Sequence, residues 1–342
     1  MNSRSVTFAI LAYNQERLIL EALESIRYQV EKYGSTNGYS YSIVAIDDGS
    51  RDDTVKILNE WIECNRFLFK EARVIVHDIN MGTVFSYSQL MREVKTEFFL
   101  EMAGDDVISS TDITTYITSS HNVISVYPGF FLRGESVFLR DTNYCVSFFY
   151  FLTHKKSKKY LLSIFAMGLL PYQAINGVRD LSLYDEADCE LFNKKFRLVE
   201  DAPTIYKILR DISNIDIEFK LCPPFYLYRI NEDSVTHSSS TNDIYINDLV
   251  TLFSEYEEQC DGLLKIYFRN KKKRLHGESN IPICSFIDRF CYLYFFINSA
   301  WLHKKGYKKY IELLKERCPI ETNHYLNIKT KAELFYRNHC TI

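Results

Sequence analysis

Four apolar runs of strand length alternate with amphipathic stretches of helical period through the first 102 residues of this 342-residue chain. The runs are 6–12, 41–46, 72–76 and 98–102. Leu18, Ala22, Leu23, Ile26 and Val30 share one face of a helix expected over 16–30. Val55, Leu58, Trp61 and Ile62 line the next helix, which Asp52 or Asp53 can cap. A third helix is expected over 84–94, and 34–40 reads as a polar turn. Parallel strands need crossover connections, and helices of this length supply them. The pattern therefore predicts an α/β fold with a mixed, mainly parallel sheet flanked by helices.

Two of these runs end in acid. Asp47-Asp48-Gly49-Ser50 follows the second and Gly104-Asp105-Asp106 the fourth. Carboxylates at two strand exits converge only if the strands lie close in one sheet, and a parallel sheet binds ligands at that edge. Converging carboxylates suit a hard divalent cation, and such a cation commonly serves a diphosphate. A nucleotide-dependent enzyme is the first expectation.

Composition narrows the field. Twelve Gly and seven Pro are few beside 25 Tyr and 24 Phe, which leaves many amphipathic rings for a core, a sugar-binding surface or a membrane interface. A net charge of −3 gives no global attraction to nucleic acid. The nine cysteines are odd in number and contain no CxxC, as suits reduced thiols in the cytoplasm. The run 6–12 passes straight into Asn14-Gln15-Glu16-Arg17, without the basic region and cleavage site of a signal peptide. The apolar block 290–302 is broken by Asn298 and Ser299 and is too short to span a bilayer.

Ile10-Leu11-Ala12-Tyr13-Asn14-Gln15-Glu16, the stretch from Ile46-Asp47-Asp48-Gly49-Ser50 to Thr54, Asn80-Met81-Gly82 and Ala103-Gly104-Asp105-Asp106 occur in order. This set resembles the family 2 glycosyltransferases of GT-A fold, especially bacterial enzymes of capsule and O-antigen assembly. The likeness is close over about the first 110 residues and looser to about 240. It implies a GT-A domain over 1–240, with a nucleotide-sugar-binding half at 1–110 and an acceptor-binding half at 111–240. Residues 241–342 form a helical C-terminal region.

The resemblance also implies roles. Ala12, Tyr13, Asn14 and Glu16 would border nucleobase and ribose, Asp47 or Asp48 would accept from the base, and Asn80 and Gly82 would adjoin the donor. A carboxylate suits a uracil N3–H, since it only accepts where the imide only donates; a UDP-sugar donor is therefore expected. Asp105 and Asp106 would hold the ribose and Mn²⁺ or Mg²⁺. Ala103 departs from the pattern, standing where many relatives place the motif's first acid. Glu200-Asp201 resembles the family's later acidic pair, with Asp201 the base and Glu200 orienting the acceptor. Tyr228-Arg229 and Ser234-Val235-Thr236-His237 resemble a loop that closes over the donor, Arg229 at the diphosphate and His237 as an extra metal ligand.

The expected reaction is inverting, metal-dependent transfer of a sugar to a growing glycan acceptor, undecaprenyl-diphosphate-linked as for capsule or O-antigen. Lys271-Lys272-Lys273-Arg274 and Lys304-Lys305 flank the aromatic block 290–302. This block reads either as a core helix with a solvated face or as a helix lying peripherally on the inner face of the cell membrane. Two rivals remain. A sugar-phosphate nucleotidyltransferase would want a Gly-rich, basic loop after the first strand, and Ala12-Tyr13-Asn14-Gln15 is not one. A non-catalytic nucleotide-sugar-binding or scaffold role has only Ala103 in its favour, against Asp105, Asp106 and Asp201.

Overall fold

A computed structural model describes residues 4–116, 123–126, 130–139, 162, 165–167, 178–180, 185–211, 218–221, 224–230, 242–277, 286, 289–290, 293 and 304–340. The expected alternation is present. Strand β1 (Ser5–Ala12) leads to helix α1 (Ile19–Asn37), then β2 (Ser40–Asp47), α2 (Thr54–Asn65), β3 (Glu71–Val76), α3 (Thr83–Glu93) and β4 (Phe98–Ala103). The 34–40 stretch is not all turn. Helix α1 runs through Gly34, whose bare Cα lets the Tyr41 ring pack close, and it stops at Gly38 in the left-handed region with φ 71°.

The first sheet has the order β3-β2-β1-β4, and β9 (Val178–Asp180) adds to β4 as an antiparallel edge. All other pairings in it are parallel, with Ala12 opposite Asp47 and Leu11 opposite Ala103. Strand order reverses between β1 and β4, which opens a crevice at their carboxyl ends. β1 and β2 are buried on both faces, as parallel strands under two helical layers must be. Phe8, Ile10, Ile43, Leu100 and Met102 pack with α1 and α2, including Trp61. Ala9, Val44, Ile46 and Phe99 pack with Tyr87, Leu90 and Met91 of α3. The result is a GT-A-like three-layer core.

A second sheet orders β5 (Val107–Ile108), β11 (Tyr226–Arg229), β7 (Phe130–Arg133) and β8 (Ser136–Phe138). β6 (Val123–Val126) and β10 (Glu218–Leu221) form a separate parallel pair. The remaining long elements are α4 (Glu186–Lys195), α5 (Asp201–Asp211), α6 (Asn242–Gln259), α7 (Gly262–Leu275) and α8 (Lys304–Phe335).

The C-terminal helix does not stand apart from the sheet. Ala332 and Phe335 of α8 enter the same cluster as β1 and α1. Glu321 of α8 is fully buried and accepts from the Ser110 backbone N–H at 2.8 Å, the Ser110 hydroxyl at 2.7 Å and Arg317 at 3.0 Å. His324 contacts the Ile108 carbonyl at 3.0 Å, and burial lowers its imidazole pKa. The boundary expected at 240 thus divides the sequence, whereas the core is shared. Among the described residues no helix is long and apolar enough to cross a membrane. Phe286, Phe290 and Leu293 are each at least half exposed, and most of the 290–302 block lies outside the described residues.

Replacing Glu321 by Ala strands the Ser110 N–H and unpairs Arg317. The expected loss is about 3 kcal/mol of folding stability by urea unfolding. A loss near zero would show that α8 is not held through this carboxylate.

Candidate functional site

Three chain exits meet at the crevice, after β1, β2 and β4. The first two are joined as a zipper. Asn14 N–H donates to the Ser50 hydroxyl at 2.8 Å, Gln15 N–H to Thr54 Oγ1 at 2.7 Å and Glu16 N–H to Asp52 Oδ2 at 3.0 Å. In return, Arg51 N–H donates to Asn14 Oδ1 at 2.9 Å and Asp53 N–H to Glu16 Oε2 at 3.1 Å. Asn14 adopts φ 51°, which a short amide side chain tolerates. The side chains of Asn14 and Glu16, expected at the nucleoside, here hold one loop to the other. Asp53 stands at the N-cap position of α2 without a side-chain cap bond, and the carboxylate that receives the Thr54 N–H is that of Asp52. Ala12 is buried, and the Tyr13 ring is 40% exposed at the mouth.

Asp47 or Asp48 is expected to accept from the base; both are buried and accept from backbone N–H groups and neighbouring side chains. Asp47 accepts from the Ser50 N–H at 2.8 Å and from the Ser50 hydroxyl. Asp48 accepts from Met81 N–H at 2.8 Å, Gly82 N–H at 2.9 Å and His77 Nδ1 at 3.0 Å. The reason is local. Turns at parallel-strand exits leave N–H groups without ladder partners, and a buried donor must be satisfied. Asp48 thereby ties the Asn80-Met81-Gly82 turn to β2. Gly49 is required there at φ 77°, because a Cβ would lie 2.6 Å from the Ile79 carbonyl carbon. Asn80 and Gly82, expected at the donor, are covered by Arg197, whose guanidinium donates to the Asn80 carbonyl at 3.2 Å.

The exit of β4 is different. A Cβ on Gly104 would meet the Gln15 side-chain oxygen at 2.2 Å and Ile19 Cδ1 at 2.7 Å, so glycine lets β4 end against the β1 loop without displacing those side chains. Asp105 and Asp106 follow, both partly buried. Asp106 accepts the Arg229 N–H at 2.9 Å, and Arg229 Nε donates to the Asp105 carbonyl at 2.7 Å. The Arg229 guanidinium, expected at the diphosphate, is instead turned inward to Glu21 of α1 and Tyr325 of α8. Tyr325 also donates to Glu21 at 3.0 Å. Burial raises the carboxyl pKa of Asp105, and burial together with Asp105 raises that of Asp106 well above the ordinary range. Two desolvated neighbouring carboxylates are a site that a cation would relieve.

Among the described residues no three His, Cys, Asp or Glu side chains cluster to hold a metal alone. The oxygen donors of Asp105 and Asp106 suit Mg²⁺ or Mn²⁺, which complete their shells with water and phosphate oxygens. His237 lies outside the described residues.

Asp201 opens α5 and accepts the Ala202 N–H at 2.6 Å. Its position relative to the donor edge is marked by Tyr228 of β11. Burial and then the charges of Asp106, Asp105 and Asp201 raise the Tyr228 phenol, so all three carboxylates lie within electrostatic reach of one ring. Tyr228 is fixed edge-on to Phe131 at 5.7 Å. Tyr245 of α6, unmarked by any sequence motif, is raised by burial and then by Asp201 and Glu200. Glu200 also borders a cleft with Val84, Tyr87, Phe192, Thr204 and Lys207.

Residues 7–172 match the family model described as "Glycosyl transferase family 2". Over this stretch, just under half of the chain, the sequence is similar to that family. A teichoic acid poly(glycerol phosphate) polymerase of Staphylococcus epidermidis is 29% identical over 117 residues, 34% of this chain and 15% of the polymerase. Solved structures of S. aureus TarS are also similar. TarS 1-349 in complex with UDP-GlcNAc is 15% identical with a TM-score of 0.48, covering 98% of this chain and 92% of that one. A longer TarS chain, 43% covered, gives 0.46. The matched stretch stops short of Glu200, Asp201, Tyr228 and Tyr245, which lie in later segments.

Asp106 holds its proton more tightly folded than unfolded. Metal-free stability should therefore fall as pH rises from the ordinary carboxylate range through Asp106's raised folded value. Urea midpoints across pH in a chelator would show that slope, and Asp106→Asn should flatten it. An unchanged slope in the variant would remove Asp106 as its source.

Proposed function

We propose that the chain is an inverting, metal-dependent glycosyltransferase that moves a sugar from a UDP-sugar to a growing glycan. The observation that supports this reading is Asp105 and Asp106 at the exit of β4, beside the switch point of a sheet that lies within the family 2 match, with Asp201 near enough for its charge to act with theirs on the Tyr228 phenol. A donor would lie in the crevice outside β1 and β4, its base against the exposed face of Tyr13. Asp106 and Asp105 would hold Mn²⁺ or Mg²⁺, which neutralises charge on the departing diphosphate. Asp201 takes the proton from the acceptor hydroxyl as that oxygen bonds to the anomeric carbon. The bond from that carbon to the diphosphate breaks on the opposite face, so configuration inverts. The Ala202 N–H donates to Asp201 Oδ1 and so fixes the carboxylate's orientation at the start of α5.

For the acceptor, the polymerase likeness supports a cell-surface polymer, of the capsule or O-antigen kind in the present reading. A lipid-linked acceptor would bring the basic stretch 271–274 and the exposed Phe286, Phe290 and Leu293 to the membrane surface.

Release of UDP from a panel of UDP-sugars with Mn²⁺, with and without lipid-linked oligosaccharide, tests the reading. Asp201→Asn should lower turnover about 10³-fold while UDP affinity by calorimetry stays within about twofold. If no donor is turned over by the unaltered protein, the proposal fails.

A further inference from the structure

The short connection between α4 and α5 carries Arg197, Leu198 and Val199 directly into Glu200 and Asp201. Its three successive backbone N–H groups all point at one atom, Oδ2 of Asp248 in α6, at 2.9, 2.6 and 3.1 Å. Asp248 is only 5% exposed. An isolated carboxylate would not be buried at that depth without partners, and three N–H donors supply them. The other side of the same connection is tied to the donor half. Arg197 accepts the Val84 N–H through its carbonyl at 3.1 Å, and its guanidinium covers Asn80. The connection is thus gripped between α6 and the start of α3, and Asp201 is the second residue after the last gripped N–H.

Helix α6 contributes twice. Tyr245 lies one turn before Asp248, and its phenol is in reach of Asp201 and Glu200. One helix therefore carries both the anchor for the backbone and a phenol on which the charges of the two acids act.

We infer that Asp248 is the positioning residue for Asp201: its carboxylate gathers the 197–199 amides and so sets the base's distance from the acceptor oxygen. This rests on the proposed glycosyl transfer for its kinetic consequence, but the clamp itself does not. A misplacement of the order of an ångström can cost about 100-fold in rate. Asn at 248 keeps an oxygen acceptor of the same shape, so it preserves the geometry and loses only charge.

The test has two arms. Amide hydrogen exchange reads the clamp without any substrate. Asp248→Ala should speed exchange in the 197–203 peptide at least about tenfold and leave the 5–54 region unchanged, with Asp248→Asn near the parent. UDP release from UDP-GlcNAc with Mn²⁺ reads the consequence. There kcat should fall about 100-fold in Asp248→Ala with KM within about threefold, and Asp248→Asn should recover most of it. Unchanged exchange in Asp248→Ala, or altered exchange with unchanged kcat, overturns the inference. An equal fall in donor affinity also overturns it. A parent protein that turns over no donor while exchange still responds leaves the clamp standing and sinks the transferase reading instead.

Discussion

The buried pair of Arg229 and Glu21 is the constraint on which the rest of this structure turns. Neither side chain is more than about one-tenth exposed. Such a pair survives burial only when its remaining donors and acceptors are also met. Here they are met by groups from distant parts of the chain: the Asp105 carbonyl at the end of β4 and the Tyr325 hydroxyl in α8. Burial works against the guanidinium's charge, and Glu21 with Tyr325 more than restores it. An arginine is needed because one planar fork has to reach several directions at once, which a lysine ammonium cannot do with the same geometry. Through this knot α1, the second sheet and the C-terminal helix all set where Asp105 and Asp106 stand.

A division of labour among carboxylates follows. Asp47, Asp48, Asp52 and Glu16 are spent on backbone N–H groups that loops at a parallel edge would otherwise leave bare. Asp105, Asp106 and Asp201 carry the charges that all act on the Tyr228 phenol. The first group makes the second possible, because a loop held by its own acids does not collapse when like charges are brought together. His77 shows how far the bracing extends, joining Asp48 to Gln89 of α3 at 2.7 Å.

That division explains what the sequence could disclose. Strand and helix order through β4 was legible because burial on both faces of β1 and β2 forces apolar runs, and amphipathic periods mark α1 to α3. The acidic clusters marked the site's location, yet an acid that caps a turn and an acid that binds a ligand look alike in sequence. Only burial and partners separate Asp48 from Asp106. Arg229 shows the same limit, since the resemblance of Tyr228-Arg229 to a loop over the donor says nothing of Glu21, 208 positions away. Tyr245, Asp248 and Tyr325 carried no local signal at all, being ordinary residues on helices whose relation to the crevice is set by tertiary packing.

Those three residues share another property: all lie beyond residue 172, where the family match ends. The donor edge is built within the matched stretch, but the groups that hold its acids against the base are supplied by α6 and α8. A crevice built within the matched stretch can therefore be paired with a different frame without altering the residues of that stretch. Such a frame moves Asp201 relative to Asp106 and so changes which acceptor hydroxyl can approach in line with the diphosphate. On the proposed reading, acceptor geometry depends on the backbone anchor at Asp248 and on the Arg229 knot as well as on the side chains lining the crevice.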